Sequence, residues 1–170
     1  EKTWNVPLVD AVHWLIETID HSNEPDSGIA LAQIALEMLS SLMLTPAEYS
    51  ADKNAATRIE HILKKAKISP IVPPFLESLK KVADKEKIDG PELITRLRNG
   101  IIHPDRKKRE KLEHWARDLD LNPVTLKNEA CRLYAHYVQL LLLHKMNFKG
   151  VYANRTRKRG LGEVENVPWV

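Results

Sequence analysis

The chain has 170 residues, of which 43% are hydrophobic and 29% charged, and its formal net charge is +3. This is the composition of one globular domain with a substantial core. Its single cysteine, Cys131, excludes an internal disulfide and indicates a reducing compartment. The longest apolar run, YVQLLLLHKM, is too short to span a bilayer, so we expect a cytoplasmic protein without a membrane segment.

The first half of the chain predicts three long helices. Apolar residues at helical spacing predict one over PLVDAVHWLIETID, ending near His21. GIALAQIALEMLSSLML predicts an apolar, buried helix that is closed by Thr45 and Pro46 and carries Glu37 as a lone central charge. AATRIEHILKKAKI, residues 55–68, predicts an amphipathic surface helix with its cations on the outer face.

Prolines mark the helix boundaries of the second half. PFLESLKKVADKEKI predicts a helix with proline in its first turn, and Asp89-Gly90-Pro91 introduces PELITRLRNGIIH. A charged helix over DRKKREKLEHWARDLD follows, and then a long apolar one over VTLKNEACRLYAHYVQLLLLHKM. The sequence therefore predicts an all-α fold, an up-and-down bundle of five to six helices over residues 1–150. Residues 151–170 lack a helical stripe, so we expect an extended basic tail that docks on the bundle.

RLRNGIIHP, residues 96–104, combines arginine, asparagine and histidine side chains with an apolar spacer and a helix stop. In a helix Asn99 and His103 share a face, and Arg98 lies about 100° away, so the three can line one pocket wall. Pro104 disfavours helical geometry at the residue before it. We therefore expect His103 at or just beyond a helix end, where its side chain is open to a substrate.

These residue types suit cleavage of a phosphodiester. Arginine offers a fork of donors that matches a phosphate, histidine gives or takes a proton near neutral pH, and asparagine can orient either one. With RNA as substrate, its 2′-OH can be the nucleophile, and neither a metal nor another cofactor is required. A basic run follows the motif, and we expect its side chains to bind the RNA backbone: Arg106, Lys107, Lys108 and Arg109.

RLRNGIIHP also resembles the signature of HEPN domains, in which four to six residues separate an arginine, commonly followed by a polar residue, from a histidine; here four residues lie between Arg98 and His103. ALEML with Glu37, FKGVYANR and the closing VPW are similar to the ApeA-like branch of these proteins, so the resemblance covers roughly residues 30–169. It implies a helical bundle that forms a homodimer and brings two Arg-His motifs into one cleft. The implied activity is that of a metal-independent endoribonuclease in bacterial defence against phages.

Several alternatives remain open. Arg109 and His114 have the same spacing as Arg98 and His103, although REKLEH has the charge pattern of a solvated helix face. Arg98 could pair with Glu37, which would either make it structural or hold it ready for a substrate. A non-catalytic RNA-binding or dimerisation module is the second function. The opening EKTWNVP lacks a methionine, which fits a piece of a longer protein with an upstream sensor domain.

Overall fold

The computed structural model describes residues 5–20, 24–52, 54–103, 106–157 and 164–169. The predicted all-α fold is confirmed, with a short hairpin near the C-terminus. The described part contains eight helices rather than five or six, and two strands: α1 (Asn5–Asp20), α2 (Pro25–Met43), α3 (Pro46–Ala51), α4 (Ala55–Lys65), α5 (Glu77–Glu86), α6 (Gly90–Ile102), α7 (Arg106–Asp118), α8 (Pro123–Lys145), β1 (Val151–Ala153) and β2 (Val164–Asn166).

Side-chain caps and prolines set most helix starts. Thr45 and Glu48 form a reciprocal capping box at α3, a short helix that the sequence did not predict. Asn54 and Asp89 each accept one backbone N–H in the first turn of the helix that follows, and Asn122 accepts two, so otherwise unpaired donors are satisfied at each start. For α5 the prediction was wrong in detail, because the helix begins at Glu77, after the prolines rather than with one in its first turn.

The helix predicted over residues 55–68 is shorter than expected. α4 ends at Lys65, because Lys67 adopts a left-handed backbone conformation with φ of 56°. The N–H of Ile68 then returns to the carbonyl of Leu63 at 2.9 Å, which closes the helix end.

Two helices, α2 and α8, form the centre of the bundle. α8 packs against α1, α2, α4, α5, α6 and α7, and α2 packs against α1, α4, α6 and α8. Because α8 has neighbours on nearly every side, it buries side chains around most of its circumference. The largest fully buried side chains in these two helices are Ile29, Leu36, Leu39, Tyr134 and Tyr137.

The chain after α8 returns to the bundle as a hairpin. β1 and β2 pair antiparallel, with Tyr152 opposite Glu165. Arg132 of α8 donates to the carbonyls of Arg155, at 3.1 Å, and Thr156, so the helix holds the segment that follows β1. Tyr152 and Val167 are buried.

Candidate nuclease site

Helix α6 carries the arginine, the asparagine and the histidine of the motif. Its apolar face is buried through Leu93, Ile94 and Leu97. Arg98 and Asn99 follow directly and are half-buried, which places them at the edge of the core. The packing of α6 therefore fixes where this polar group meets solvent.

Among the described residues, no carboxylate neutralises the charge of Arg98 in α6. Its Nη1 donates to Asn99 Oδ1 at 3.1 Å, and its buried Nε has no hydrogen-bond partner among the described residues. Arg96 is different, because its Nε lies 2.6 Å from Glu92 Oε1 and its Nη1 lies 3.6 Å from Glu86 Oε2. Of the two arginines in the motif, Arg98 is the one with donors left for an anion.

His103 lies at the C-terminal end of α6, as the sequence predicts. It caps the helix in an extended conformation with φ of −80° and ψ of 140°, and its N–H donates to the carbonyl of Asn99 at 3.2 Å. Its half-buried imidazole makes no hydrogen bond with any described residue. Pro104, the expected reason for this helix end, lies outside the described residues.

Asn99 contacts both other members of the motif. Its side-chain oxygen accepts from Arg98, and its backbone carbonyl accepts from the N–H of His103. Only the bond to Arg98 uses the Asn99 side chain, so the expected orienting role of Asn99 stays a prediction.

Glu37 does not pair with Arg98. Its Oε2 lies 3.2 Å from Nη2 of Arg58, its Oε1 accepts from Nε2 of Gln33 at 2.9 Å, and the Tyr49 hydroxyl lies 3.4 Å from Oε2. The alternative in which Glu37 neutralises Arg98 directly is therefore wrong. Any support that Glu37 gives to the motif must pass through other residues.

A buried tyrosine, Tyr134, connects Glu37 to α6 through Gln33. The buried Tyr134 hydroxyl lies 2.8 Å from Oε1 of Gln33 and 3.1 Å from the carbonyl of Ile94. Burial raises the pKa of Tyr134 well above its usual value, while the nearby positive charge of Arg98 acts in the opposite direction. The sequence did not predict the contacts of Tyr134, Gln33 and Arg58, because they join helices that lie far apart in the chain.

The basic run begins α7, three residues after His103. The side chains of Arg106 and Lys107 are exposed, and Arg106 Nε lies 2.6 Å from Oε1 of Glu110. The side chains of Lys108 and Arg109 are not among those that the structure describes, so their expected contacts with RNA stay a prediction. An exposed i,i+4 ion pair is weak, so the one at Arg106 leaves that cation accessible to a phosphate.

The competing histidine lies on the surface of α7. His114 is 62% exposed, and its Nε2 lies 3.0 Å from Oδ2 of Asp118, which also binds Lys85 at 2.9 Å. His114 is therefore part of an exposed ion-pair cluster, whereas His103 is half-buried and unpaired among the described residues. This difference favours Arg98 and His103 over the second match to the same spacing.

The described residues contain neither a candidate metal site nor a candidate membrane span. No group of three or more His, Cys, Asp or Glu residues there could hold a metal ion. None of the helices there has the combined length and apolarity that crossing a membrane requires.

This helical domain, with its Arg-Asn-His group at the end of α6, belongs to the YopA C-terminal domain family, whose model matches residues 1–166. A curated relative is the SPbeta prophage-derived uncharacterized protein YopA of Bacillus subtilis (strain 168), 29% identical over 175 residues. That match covers 98% of this chain and 36% of the relative, so the chain spans about a third of the relative's length. No solved structure is significantly similar to the chain.

Proposed function

We propose that this domain is a metal-independent endoribonuclease of the HEPN type that cleaves RNA at a composite site in a homodimer. The observation that carries the proposal is that Arg98 and His103, at the end of one helix, both lack a carboxylate partner among the described residues. A buried or half-buried arginine is usually paired. An arginine without a carboxylate partner, five residues before an imidazole without one, suits an anionic substrate.

The reaction follows from these groups. One His103 removes the proton of the RNA 2′-OH, whose oxygen forms a bond to phosphorus as the bond to the 5′-oxygen breaks. A second imidazole gives the leaving oxygen its proton, and Arg98 stabilises the charge on the phosphorus centre. The products are a 2′,3′-cyclic phosphate and a 5′-hydroxyl. One imidazole cannot serve both sides of the phosphorus in one step, and a two-fold dimer supplies the second.

The basic start of α7 completes the proposed site. Arg106 and Lys107 follow the motif directly and are exposed, so they can steer the RNA backbone toward Arg98. We place Lys108 and Arg109 in the same role. Because RNA is the substrate and the thiol of Cys131 is free, we assign the protein to the cytoplasm.

The relative suggests a biological setting. The Bacillus subtilis protein is named as prophage-derived, and a ribonuclease that acts in anti-phage defence or as a toxin suits a gene carried by a prophage. Such an enzyme must be controlled. Since the match covers 36% of that relative, we assign the sensing of the trigger to an upstream domain of a longer protein.

The test uses the whole chain with mixed-sequence RNA and a matched DNA in excess EDTA. We expect cleavage of RNA alone, with 2′,3′-cyclic phosphate ends. Arg98→Ala and His103→Ala should each lower the rate by roughly 10²-fold or more, the usual contribution of such groups. His114→Ala is the matched control, because this exposed histidine has the same spacing from an arginine, and its rate should stay within about twofold of wild type.

Three results would contradict the proposal. RNA that stays intact in the presence of a dimer verified by sedimentation would favour the RNA-binding or assembly module instead. Cleavage that persists in both site variants would place the activity elsewhere, and loss of cleavage in EDTA would refute the metal-free route.

A further inference from the structure

A chain of hydrogen bonds runs from the surface of α4 through the core to α6. Arg58 binds Glu37, Glu37 accepts from Gln33, and Gln33 accepts from the Tyr134 hydroxyl, which also contacts the carbonyl of Ile94. Four helices, α4, α2, α8 and α6, each contribute to it. In a low-dielectric interior such a chain is rigid only while every member keeps its partner.

The last bond of this chain holds the turn that carries Arg98. In an α-helix the carbonyl of residue 94 accepts the backbone N–H of residue 98, and both residues lie within α6. The Tyr134 hydroxyl shares its one proton between that carbonyl oxygen, at 3.1 Å, and Oε1 of Gln33, at 2.8 Å. α8 therefore holds the backbone of Arg98 in place without using the guanidinium.

The first bond in this series of hydrogen bonds, between Arg58 and Glu37, neutralises the Glu37 carboxylate. Nη2 of Arg58 lies 3.2 Å and 3.4 Å from the two carboxylate oxygens of Glu37, and Nη1 donates to the carbonyl of Asp52 at 3.0 Å. The Tyr49 ring lies 4.7 Å from the guanidinium carbon of Arg58. The side chains of Arg58 and Glu37 are 17% and 34% exposed, so water screens the pair only in part.

We propose that Arg58 is a positioning residue for the nuclease site: by binding Glu37 it keeps that carboxylate from neutralising Arg98. This inference rests on the proposed function. The Tyr134 hydroxyl links the surroundings of the two charges. It lies 2.8 Å from Oε1 of Gln33, whose amide donates to Glu37, and 3.1 Å from the carbonyl of Ile94, one helical turn before Arg98. A Glu37 without Arg58 would be an uncompensated, half-buried anion, and Arg98 would be the nearby cation that its charge attracts.

The proposal predicts an effect with a definite sign. In Arg58→Met the unpaired charge of Glu37 opposes a phosphate at Arg98, so RNA binding should weaken roughly tenfold, as expected for one nearby charge in a partly desolvated site. Glu37→Gln in the same chain removes that charge and should restore RNA affinity to within about twofold of wild type. Arg58→Lys keeps the neutralising cation and should bind RNA within about twofold of wild type.

The experiment measures RNA binding and the pairing of the Arg98 guanidinium separately. Binding of a mixed-sequence 2′-O-methyl RNA, which cannot be cleaved at its 2′-oxygen, is followed by fluorescence anisotropy for wild type, Arg58→Met, Arg58→Lys, Glu37→Gln and the Arg58→Met/Glu37→Gln pair. In parallel, the Nε–Hε resonance of Arg98, identified by its loss in Arg98→Lys, reports pairing of the guanidinium without RNA. We expect this resonance to move in Arg58→Met and to return in the pair.

A purely structural role of Arg58 would give a different pattern. Glu37→Gln alone would then weaken RNA binding, and the double variant would bind no better than Arg58→Met; either result overturns the proposal. If Arg58→Met does not fold, Glu37→Gln alone still decides, because we expect its RNA affinity to equal or exceed that of wild type. Wild-type protein that neither binds nor cleaves RNA would refute the proposed function, while the Arg98 resonance would still decide the role of Arg58.

Discussion

Acid should destabilise the fold through one buried histidine, His136 of α8. Its side chain is 7% exposed and lies near the rings of Tyr137 and Tyr152, with centroids 6.2 Å and 6.0 Å away. Its Nδ1 has no hydrogen-bond partner among the described residues. Burial lowers the pKa of His136 from 6.5 to about 4, with the charge of Arg155 acting in the same direction and that of Glu165 opposing it.

The sign and size of the effect follow from linkage. Between pH 6.5 and 4 the unfolded chain carries a proton on His136 and the folded chain does not, so the free energy of unfolding falls as the pH falls. The stabilisation is fully present above pH 6.5 and is lost by about pH 4. Since one pKa unit corresponds to 1.36 kcal/mol, the loss amounts to about 3 kcal/mol, a large share of the stability of a domain of this size.

Urea unfolding at several pH values between 7.5 and 4 would measure this loss. His136→Phe is the matched variant, because it keeps a ring between the two tyrosines and cannot take up a proton. We expect the wild-type protein to lose about 3 kcal/mol more than His136→Phe over this range. Parallel pH dependences of the two proteins would refute the reasoning, because any carboxylate contributions are common to both.

Two further predictions concern buried side chains. Burial raises the pKa of the Cys131 thiol to about 11, so the folded protein should not react with a thiol reagent at pH 8. Unfolding in guanidinium should expose one reactive thiol. A full equivalent of labelling before unfolding would contradict this prediction. A Cβ at Gly90 would overlap the Tyr137 hydroxyl and lie 2.8 Å from the carbonyl of Pro70, so Gly90→Ala should lower stability by about 1–3 kcal/mol in thermal unfolding. In Gly150→Ala the added Cβ meets only the Phe148 side chain, so this variant should lose less stability. Equal losses of stability in the two variants would show that the residues around Gly90 move to make room for the methyl group.

The sequence was most informative where a single element carries the signal. The helical segments named from the sequence overlap all the helices of the described residues except α3, although the predicted total of five to six was too low, and the helix stop after Ile102 placed His103 at an end of α6. α3 was missed because its six residues, PAEYSA, are too few to show a period, although its capping box was present. The two strands have three residues each, which is also below the length at which alternation can be recognised.

Partners across helices could not be predicted. Arg58 and Glu37 are 21 residues apart, and Tyr134 and Ile94 are 40 apart, so their contacts depend on how the helices cross rather than on any local pattern. The sequence therefore indicated Arg98, Asn99 and His103 as one group, and of the arginines it considered only Arg98 as a partner for Glu37, whereas the structure pairs Glu37 with Arg58. Charge alone could not choose among the arginines, because only the packing shows which of them lies beside Glu37.

The central position of α8 has a consequence for synthesis of the protein. The chain leaves the ribosome from its N-terminus, so Arg98 and His103 emerge well before the helix that holds their turn in place. Until residue 145 has left the ribosome, the six helices that pack on α8 lack this shared partner: α1, α2, α4, α5, α6 and α7. The nascent chain thus carries the whole motif without the bundle that arranges it, and the site takes shape only when translation of the domain is nearly complete.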